Sequence, residues 1–344
     1  MPVQNVVAVG AGNIGSHLLP HLARTPDIQR LFIIDPDRYT SSNCLSQNID
    51  ASDVGKPKAM VQATKLRRIN PDLPVEPMVA RLEDVPLELF ARSTIVICVD
   101  NRATRQWANE ITWHLDARLI DCGVLGSQNL ARVTIYVPSP AAACMECNWS
   151  PDHYAQLEQE YPCSPGVAPA RPSGASSALG ALAASLAAFA VGEVSGQGSP
   201  ATGYEAVMDA QHHKLLTTIN RRNPLCRFDH RKWVIDRWGC DPRSTTVESA
   251  IETCGAFSVT GHRFVTRLVC PSCGAGDPGF KLNRPAKTCA RCRVRMGADH
   301  FDMFDTIGPE LPREYRALSL AAVGLRRGDV LTSGDRQFAI SEAR

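Results

Sequence analysis

The residues with chemistry to offer fall into two groups. The first begins with Gly10, Gly12 and Gly15, spaced G-x-G-x-x-G directly after the apolar run Val6–Val9. The first glycine permits a tight turn, the second lets backbone approach a phosphate, and the third lets a helix pack close to a strand. A helix starting near Asn13 would point its free N–H groups and positive dipole end at an anion. Asp35 ends a second apolar run, Leu31–Ile34, twenty positions after Gly15, where a ribose hydroxyl would be bound. Further on, Asn43 lies in Ser41-Ser-Asn-Cys-Leu-Ser-Gln-Asn48 and Lys58 in Gly55-Lys-Pro-Lys58. An amide and a compact cation are suited to triphosphate oxygens. Asp100, after a third apolar run, is placed to hold magnesium through its carboxylate. The second group is the cysteines. Of thirteen, six form three C-x-x-C pairs: Cys144/Cys147, Cys270/Cys273 and Cys289/Cys292. The last two pairs, fifteen residues apart, make a C-x2-C-x15-C-x2-C zinc-ribbon pattern. The residues between them cannot build a core, so metal would supply the folding energy.

These residues need a frame. Residues 1–140 alternate strand and helix. Strands are predicted at Val6–Val9, Leu31–Ile34, Thr94–Val99, Arg118–Asp121 and Ala131–Val137, and helices at Asn13–Arg24, Lys58–Arg68 and Arg102–Leu115. The class is α/β, a doubly wound, Rossmann-like and mostly parallel sheet with ligands at the carboxyl ends of its strands. Asp35, Asp37, Asp100 and Asn101 fall at those ends. Beyond residue 175 the pattern gives an alanine-rich helix, returning strands within Tyr204–Leu216, a short helix at Val247–Cys254 and a strand at Arg263–Val269. The zinc ribbon and a small β-rich tail, Leu318–Ser341, follow.

Composition narrows the classes. The 344 residues suit one large or two moderate domains, and a hydrophobic share of 44% suffices for a sizeable core. A net charge of +2 gives no reason to expect a general binder of nucleic acid or membrane surfaces. C-x-x-C pairs in a nucleotide-binding α/β chain read as zinc ligands rather than disulfides, which places the protein in a reducing cytoplasm. The first strand begins within five residues of Met1, so no N-terminal signal is expected. The most apolar window, Ala175–Val194, is rich in Ala, Ser and Gly and reads as a closely packed buried helix rather than a membrane span. Lys281, Arg284, Lys287, Arg291, Arg293 and Arg295 make the ribbon basic, and read as a solvated face rather than a nucleic-acid contact. A nicotinamide-dependent dehydrogenase would use the glycines and Asp35 but leave Asn43, Lys58 and Cys163 idle.

The ordered set GAGNIG, IIDPD, SSNCLSQ, GKPKA and CVDNRATR resembles the ThiF-type adenylyltransferases over about residues 5–235. That superfamily includes activators of sulfur carriers and of ubiquitin-like proteins. The resemblance implies an ATP-binding adenylation domain at 1–243, with a crossing loop at 148–174, and a C-terminal zinc-ribbon and β-rich module at 244–344. It implies that Gly10, Gly12, Gly15, Asp35, Asp37, Asn43, Gln47, Lys58, Asp100 and Asn101 bind ATP and Mg2+. A first zinc site would use Cys144, Cys147, Cys226 and His230, and a second Cys270, Cys273, Cys289 and Cys292. Cys163, in Tyr161-Pro-Cys-Ser164, is similar to the thioester-forming cysteine of the ubiquitin-activating branch. The expected partners are a ubiquitin-like protein, a conjugating enzyme and a second subunit in a homodimer or heterodimer. By analogy this is a bacterial version, of the kind found in operons linked to antiviral defence. A sulfur-carrier adenylyltransferase and a non-catalytic scaffold are the alternatives. The family's arginine just before the Gln is replaced here by Ser46, leaving Arg38, Arg105 or a partner to supply that cation.

Overall fold

The computed structural model describes residues 4–160, 175–195, 202–284, 287–294, 296–298 and 303–342. They form two compact units, one running to Glu83 and over Phe90–Lys232, the other comprising Asp84–Leu89 and the chain from Trp233.

In the first unit the apolar runs become strands covered on both faces, as parallel sheets require. Strands β1 (Gln4–Val9), β2 (Ile28–Ile34), β3 (Val75–Met78), β4 (Thr94–Ile97) and β5 (Arg118–Leu125) are parallel. Strands β6 (Leu130–Tyr136), β7 (Tyr204–Asp209) and β8 (Lys214–Ile219) extend the sheet antiparallel. The order is β3-β2-β1-β4-β5-β6-β7-β8. Strand order reverses between β1 and β4, the switch point where open α/β sheets bind ligands. β5 and β6 are antiparallel because only the short turn Gly126–Gln128 joins them, too little chain for a crossover.

The helices of this unit are α1 (Asn13–Leu22), α2 (Lys58–Ile69), α3 (Arg102–His114), α4 (Pro151–Glu160) and α5 (Ser177–Ser195). Ile14, Leu18 and Leu22 of α1, Ala59, Ala63 and Leu66 of α2, and Leu179, Ala183, Ala187 and Val191 of α5 share one core with Val6, Val96, Ile120 and Val133. α3 packs on β4 and β5, where its Arg105 meets Asp121, a neighbour of Cys122 whose side chain points the other way. Among the described residues α5 is the one helix long and apolar enough to cross a membrane. Its alanines instead let it pack on α1, β5 and β6, as the small-residue composition predicts.

The second unit has a five-stranded sheet built from β9 (Ile235–Gly239), β10 (Phe257–Val259), β15 (Thr306–Ile307), β16 (Val330–Ser333) and β17 (Arg336–Ser341). A smaller sheet joins β11 (Phe264–Val269), β12 (Gly276–Leu282), β13 (Gly297–Ala298) and β14 (Met303–Phe304). Helix α6 (Val247–Cys254) closes a core in which Phe264 and Phe280 stack at 5.3 Å. The division at 243/244 moves to 232/233, because β9 pairs parallel with β17.

Other differences from the sequence reading have local causes. β3 is short and holds Pro77, which is tolerated at the sheet edge where it lies. Within the stretch read as a crossing loop, residues 151–160 are helical, begun by a proline at the first helical position. Tyr204–Leu216 resolves into the hairpin β7–β8, turned by Asp209, whose carboxylate accepts the Gln211 and His212 N–H groups at 3.0 Å each.

The three glycines differ in what they tolerate. A Cβ on Gly15 would sit 1.9 Å from the Gly10 carbonyl oxygen, whereas one on Gly12 meets nothing within 4 Å. Gly15→Ala is therefore expected to cost roughly 2–3 kcal/mol in urea unfolding, and Gly12→Ala less than about 0.5 kcal/mol.

Candidate nucleotide site and metal centres

At the carboxyl edge of the first sheet, Gly10 has φ +90°, and its N–H donates to the Ile34 carbonyl at 2.9 Å. A Cβ there would meet the Cys98 carbonyl oxygen at 2.9 Å, so the exit of β4 lies directly against this turn. Asp35, at the end of β2, is buried. Its Oδ2 accepts the Ala11 N–H at 2.7 Å and its Oδ1 the Asp37 N–H at 2.8 Å. Burial pushes its carboxyl pKa up, opposed by the charge of Lys58 and these two N–H groups. Tyr39, also buried, donates to the Ala11 carbonyl at 2.8 Å and accepts from Gln62 Nε2 at 2.8 Å. The sequence reading missed both; the only cue was an aromatic residue among polar ones, which needs a partner when buried.

Lys58 opens α2. Its side chain is 11% exposed, with Nζ 3.2 Å from Asp37 Oδ2 and 5.9 Å from the centre of the Tyr39 ring. The segment Ser41–Leu45 is a short 3-10 turn in which Asn43 Oδ1 accepts the Thr40 N–H at 2.9 Å. That leaves the Asn43 amide nitrogen as the group able to donate elsewhere. The segment's end is tied to α1, where Ser16 Oγ accepts the Asn48 N–H at 2.9 Å. Gln47 Oε1 and Asn13 Oδ1 are buried acceptors with no hydrogen-bond partner among the described residues. On the β4 side, Asn101 caps α3, its Oδ1 accepting the Thr104 N–H at 2.7 Å. The cap thus falls to Asn101, and Asp100 stands exposed beside it.

Arg105 is held inside the sheet edge. It pairs with Asp121 and donates to the Val99 and Cys122 carbonyls at 2.6 and 2.9 Å. Arg38 donates to the Gly55 carbonyl at 2.8 Å. Ser46 contributes no cation, and Cys163 lies outside the described residues.

Cys144, Cys147, Cys226 and His230 form one cluster and Cys270, Cys273, Cys289 and Cys292 another, with the ligand atoms of each within 4.8 Å of one another. In the first, Cys144 Sγ lies 3.8 Å from Cys147 Sγ and 3.7 Å from Cys226 Sγ, and Cys147 Sγ is 3.3 Å from His230 Nε2. In the second, sulfur pairs are 3.3, 3.4 and 3.6 Å apart. A tetrahedron with Zn–S bonds of about 2.3 Å has edges of about 3.8 Å, so the spacing fits a zinc ion and far exceeds an S–S bond. The hydrogen bond between Cys144 and Cys147 draws the Cys147 thiol down to about 4 and, with burial, pushes the Cys144 thiol up. Glu146, between two of the ligands, is buried and accepts from Gln106 at 3.1 Å, Asn109 at 3.2 Å and Tyr154 at 3.0 Å. Burial, then Glu146 and Asp229, push Glu110 up to about 7. The basic residues of the ribbon are partly neutralised within their own unit: Lys281 and Lys287 pair with Asp277, and Arg284 with Asp329. Arg295 lies outside the described residues.

Comparison with known proteins places this geometry. The ThiF family model matches residues 3–228. The chain is 30% identical over 233 residues to the sulfur carrier protein adenylyltransferase of Thermus thermophilus, covering 64% of this chain and 80% of that protein. It is 37% identical over 109 residues to the SAMP-activating enzyme E1 of Haloferax volcanii, covering 31% of this chain and 40% of that protein. Among solved structures, Escherichia coli MccB with ATP superposes with a TM-score of 0.53 at 23% identity, over 65% of this chain and 66% of that one, a likeness of fold. With the matched region spanning the sheet, the glycine turn and the three cysteines of the first cluster, the chain belongs to the ThiF family.

Proposed function

We propose that this chain is an ATP-dependent adenylyltransferase that activates the C-terminal carboxylate of a ubiquitin-like or sulfur-carrier protein. The observation that carries the reading is the placement of Lys58. A largely buried ammonium stands between Asp37 and Tyr39, and its charge reaches Asp35. A dinucleotide-dependent dehydrogenase needs no such cation here; a nucleoside triphosphate does. The names of the Thermus and Haloferax relatives support the same chemistry.

In this reading the α1 N-terminus and the open face of Gly12 receive phosphate, and Asp35 takes the ribose hydroxyls through its remaining lone pairs. Lys58 and the Asn43 amide nitrogen contact phosphate oxygens, and Asp100 holds the magnesium that accompanies ATP. One oxygen of the carrier's terminal carboxylate attacks the α-phosphorus. The bond to the bridging oxygen of the β-phosphate breaks, and pyrophosphate leaves. Lys58 stabilises the charge that develops on the phosphate oxygens, and magnesium, when bound, would add to that stabilisation. The finer reading adds a second step. The Cys163 thiolate attacks the acyl carbon, AMP departs, and the thioester passes to a conjugating enzyme. In the alternative branch, which the name of the Thermus relative supports, the acyl adenylate goes to a sulfur donor. In either branch the two cysteine clusters hold zinc as closed, structural sites, and the subunits pair.

Carrier-dependent ATP–pyrophosphate exchange tests this reading. Lys58→Ala is expected to lower the exchange rate about 10²- to 10³-fold, while Cys163→Ala leaves it unchanged. A thiol-labile acyl-enzyme in the wild type, absent from Cys163→Ala, supports the conjugation branch; its absence from both supports the sulfur-carrier branch. Failure of a folded, metal-loaded protein to exchange with any ubiquitin-like or sulfur-carrier substrate overturns the proposal. Elemental analysis is expected to find two zinc ions per chain, falling to one in Cys226→Ser and in Cys289→Ser.

A further inference from the structure

Helix α1 carries two polar residues that the nucleotide reading does not use. Asn13 and His17 are four apart and so share one face. Asn13 Nδ2 donates to the carbonyls of Ala175 at 3.1 Å and Ser176 at 3.2 Å. His17 Nε2 lies 3.0 Å from Ser177 Oγ. Residues 175–177 lead directly into α5. Ser176 caps that helix, its Oγ facing the Leu179 N–H at 3.2 Å and its carbonyl accepting the Gly180 N–H at 3.1 Å. Asn13 therefore grips the same carbonyl that starts α5. The fit is close: a Cβ on Gly180 would sit 1.8 Å from Asn13 Oδ1.

The same helix reaches in a second direction. Ser16, beside His17, holds Asn48 through its Oγ at 2.9 Å and its carbonyl at 3.4 Å. One helix thus holds Asn48, which follows the Asn43–Gln47 segment, on one side and the start of α5 on the other, and its own N-terminus is formed by the glycine turn. These contacts join segments 32 and about 160 residues away in sequence.

We propose that Asn13 and His17 are positioning residues that couple the nucleotide-facing elements to the chain entering α5, so that filling the nucleotide site tightens residues 175–180. The inference rests on the reading of the glycine turn as a nucleotide site, and it gives the polar face of α1 a task beyond packing. Neither residue need touch the nucleotide. Each acts through the hydrogen bonds it makes to other segments.

Hydrogen–deuterium exchange on the full chain tests this, with Mg2+ and a non-hydrolysable ATP analogue as the probe. In the wild type the analogue is expected to slow exchange at the Leu179 and Gly180 amides at least fivefold, alongside protection of residues 10–16. In Asn13→Ala and His17→Ala protection at residues 10–16 is expected to remain while the effect at 179–180 is lost. His17→Gln, which can still donate and accept, is expected to restore it. Gly180→Ala, which must displace the Asn13 side chain, is expected to behave as Asn13→Ala does, and the double variant to be no worse than either. Persistence of the effect at 179–180 in both alanine variants overturns the coupling, as does its absence from a wild type protected at residues 10–16. If the analogue protects neither region, the nucleotide reading fails instead. The clasp is then judged without ligand, where unchanged exchange at 179–180 in both alanine variants overturns it and faster exchange supports it.

Discussion

The approach of helix α1 to the turn that precedes it is the constraint on which the rest of the first unit depends. Gly15 lies so near the Gly10 carbonyl that no side chain fits between them. That contact brings the N-terminus of α1 to the carboxyl edge of the sheet, between β1 and β4, where strand order reverses. Asp35 and Tyr39 then hold the turn from the β2 side through the Ala11 N–H and carbonyl. Lys58 enters beside them because α2 starts against Asp37, whose carbonyl accepts the Lys58 N–H at 2.9 Å. A buried carboxylate and a nearby ammonium can coexist here because their attraction offsets the cost of desolvation, and the backbone donors to Asp35 add to that.

The first cysteine cluster plays a comparable part at the opposite end of α3. Glu146 binds Gln106 and Asn109 of α3 and Tyr154 of α4, and the Trp113 ring of α3 meets His230 edge-on at 4.7 Å. Arg227, which follows Cys226 in the chain, lies over the Tyr154 ring at 4.2 Å. A metal in this cluster would therefore fix more than its own loop. It would join α3, whose first residue follows Asp100 and Asn101, to α4 and to the chain returning at residues 223–230. Ligand partners beyond the metal itself commonly set the rigidity of such sites.

Much of this was legible in the sequence, and the reasons are physical. Each glycine of G-x-G-x-x-G answers a separate steric demand, so the spacing alone locates the turn and the helix. The cysteine pairs announce themselves because a tetrahedral ion needs four ligands brought together by short loops, and Cys226 and His230 fall into place beside Cys144 and Cys147. β3 was hidden because Pro77 speaks against a strand unless its edge position is known. α4 was hidden because its proline start resembles a loop. The work of Asn13, His17 and Tyr39 could not be read at all. Their partners are distant in sequence or are backbone atoms, and neither leaves a periodic pattern. Asn101 carries a second task that its nucleotide reading did not include: its side-chain oxygen caps α3.

The account rests on Mg-ATP occupying the open space at Gly12. Equilibrium dialysis of Mg-ATP against the wild type and Gly12→Val, with urea unfolding of both, tests this most directly. The account predicts one ATP per chain in the wild type and loss of binding in the variant, with the unfolding midpoint unchanged. Equal binding by both proteins, or none by a folded, metal-loaded wild type, would contradict it.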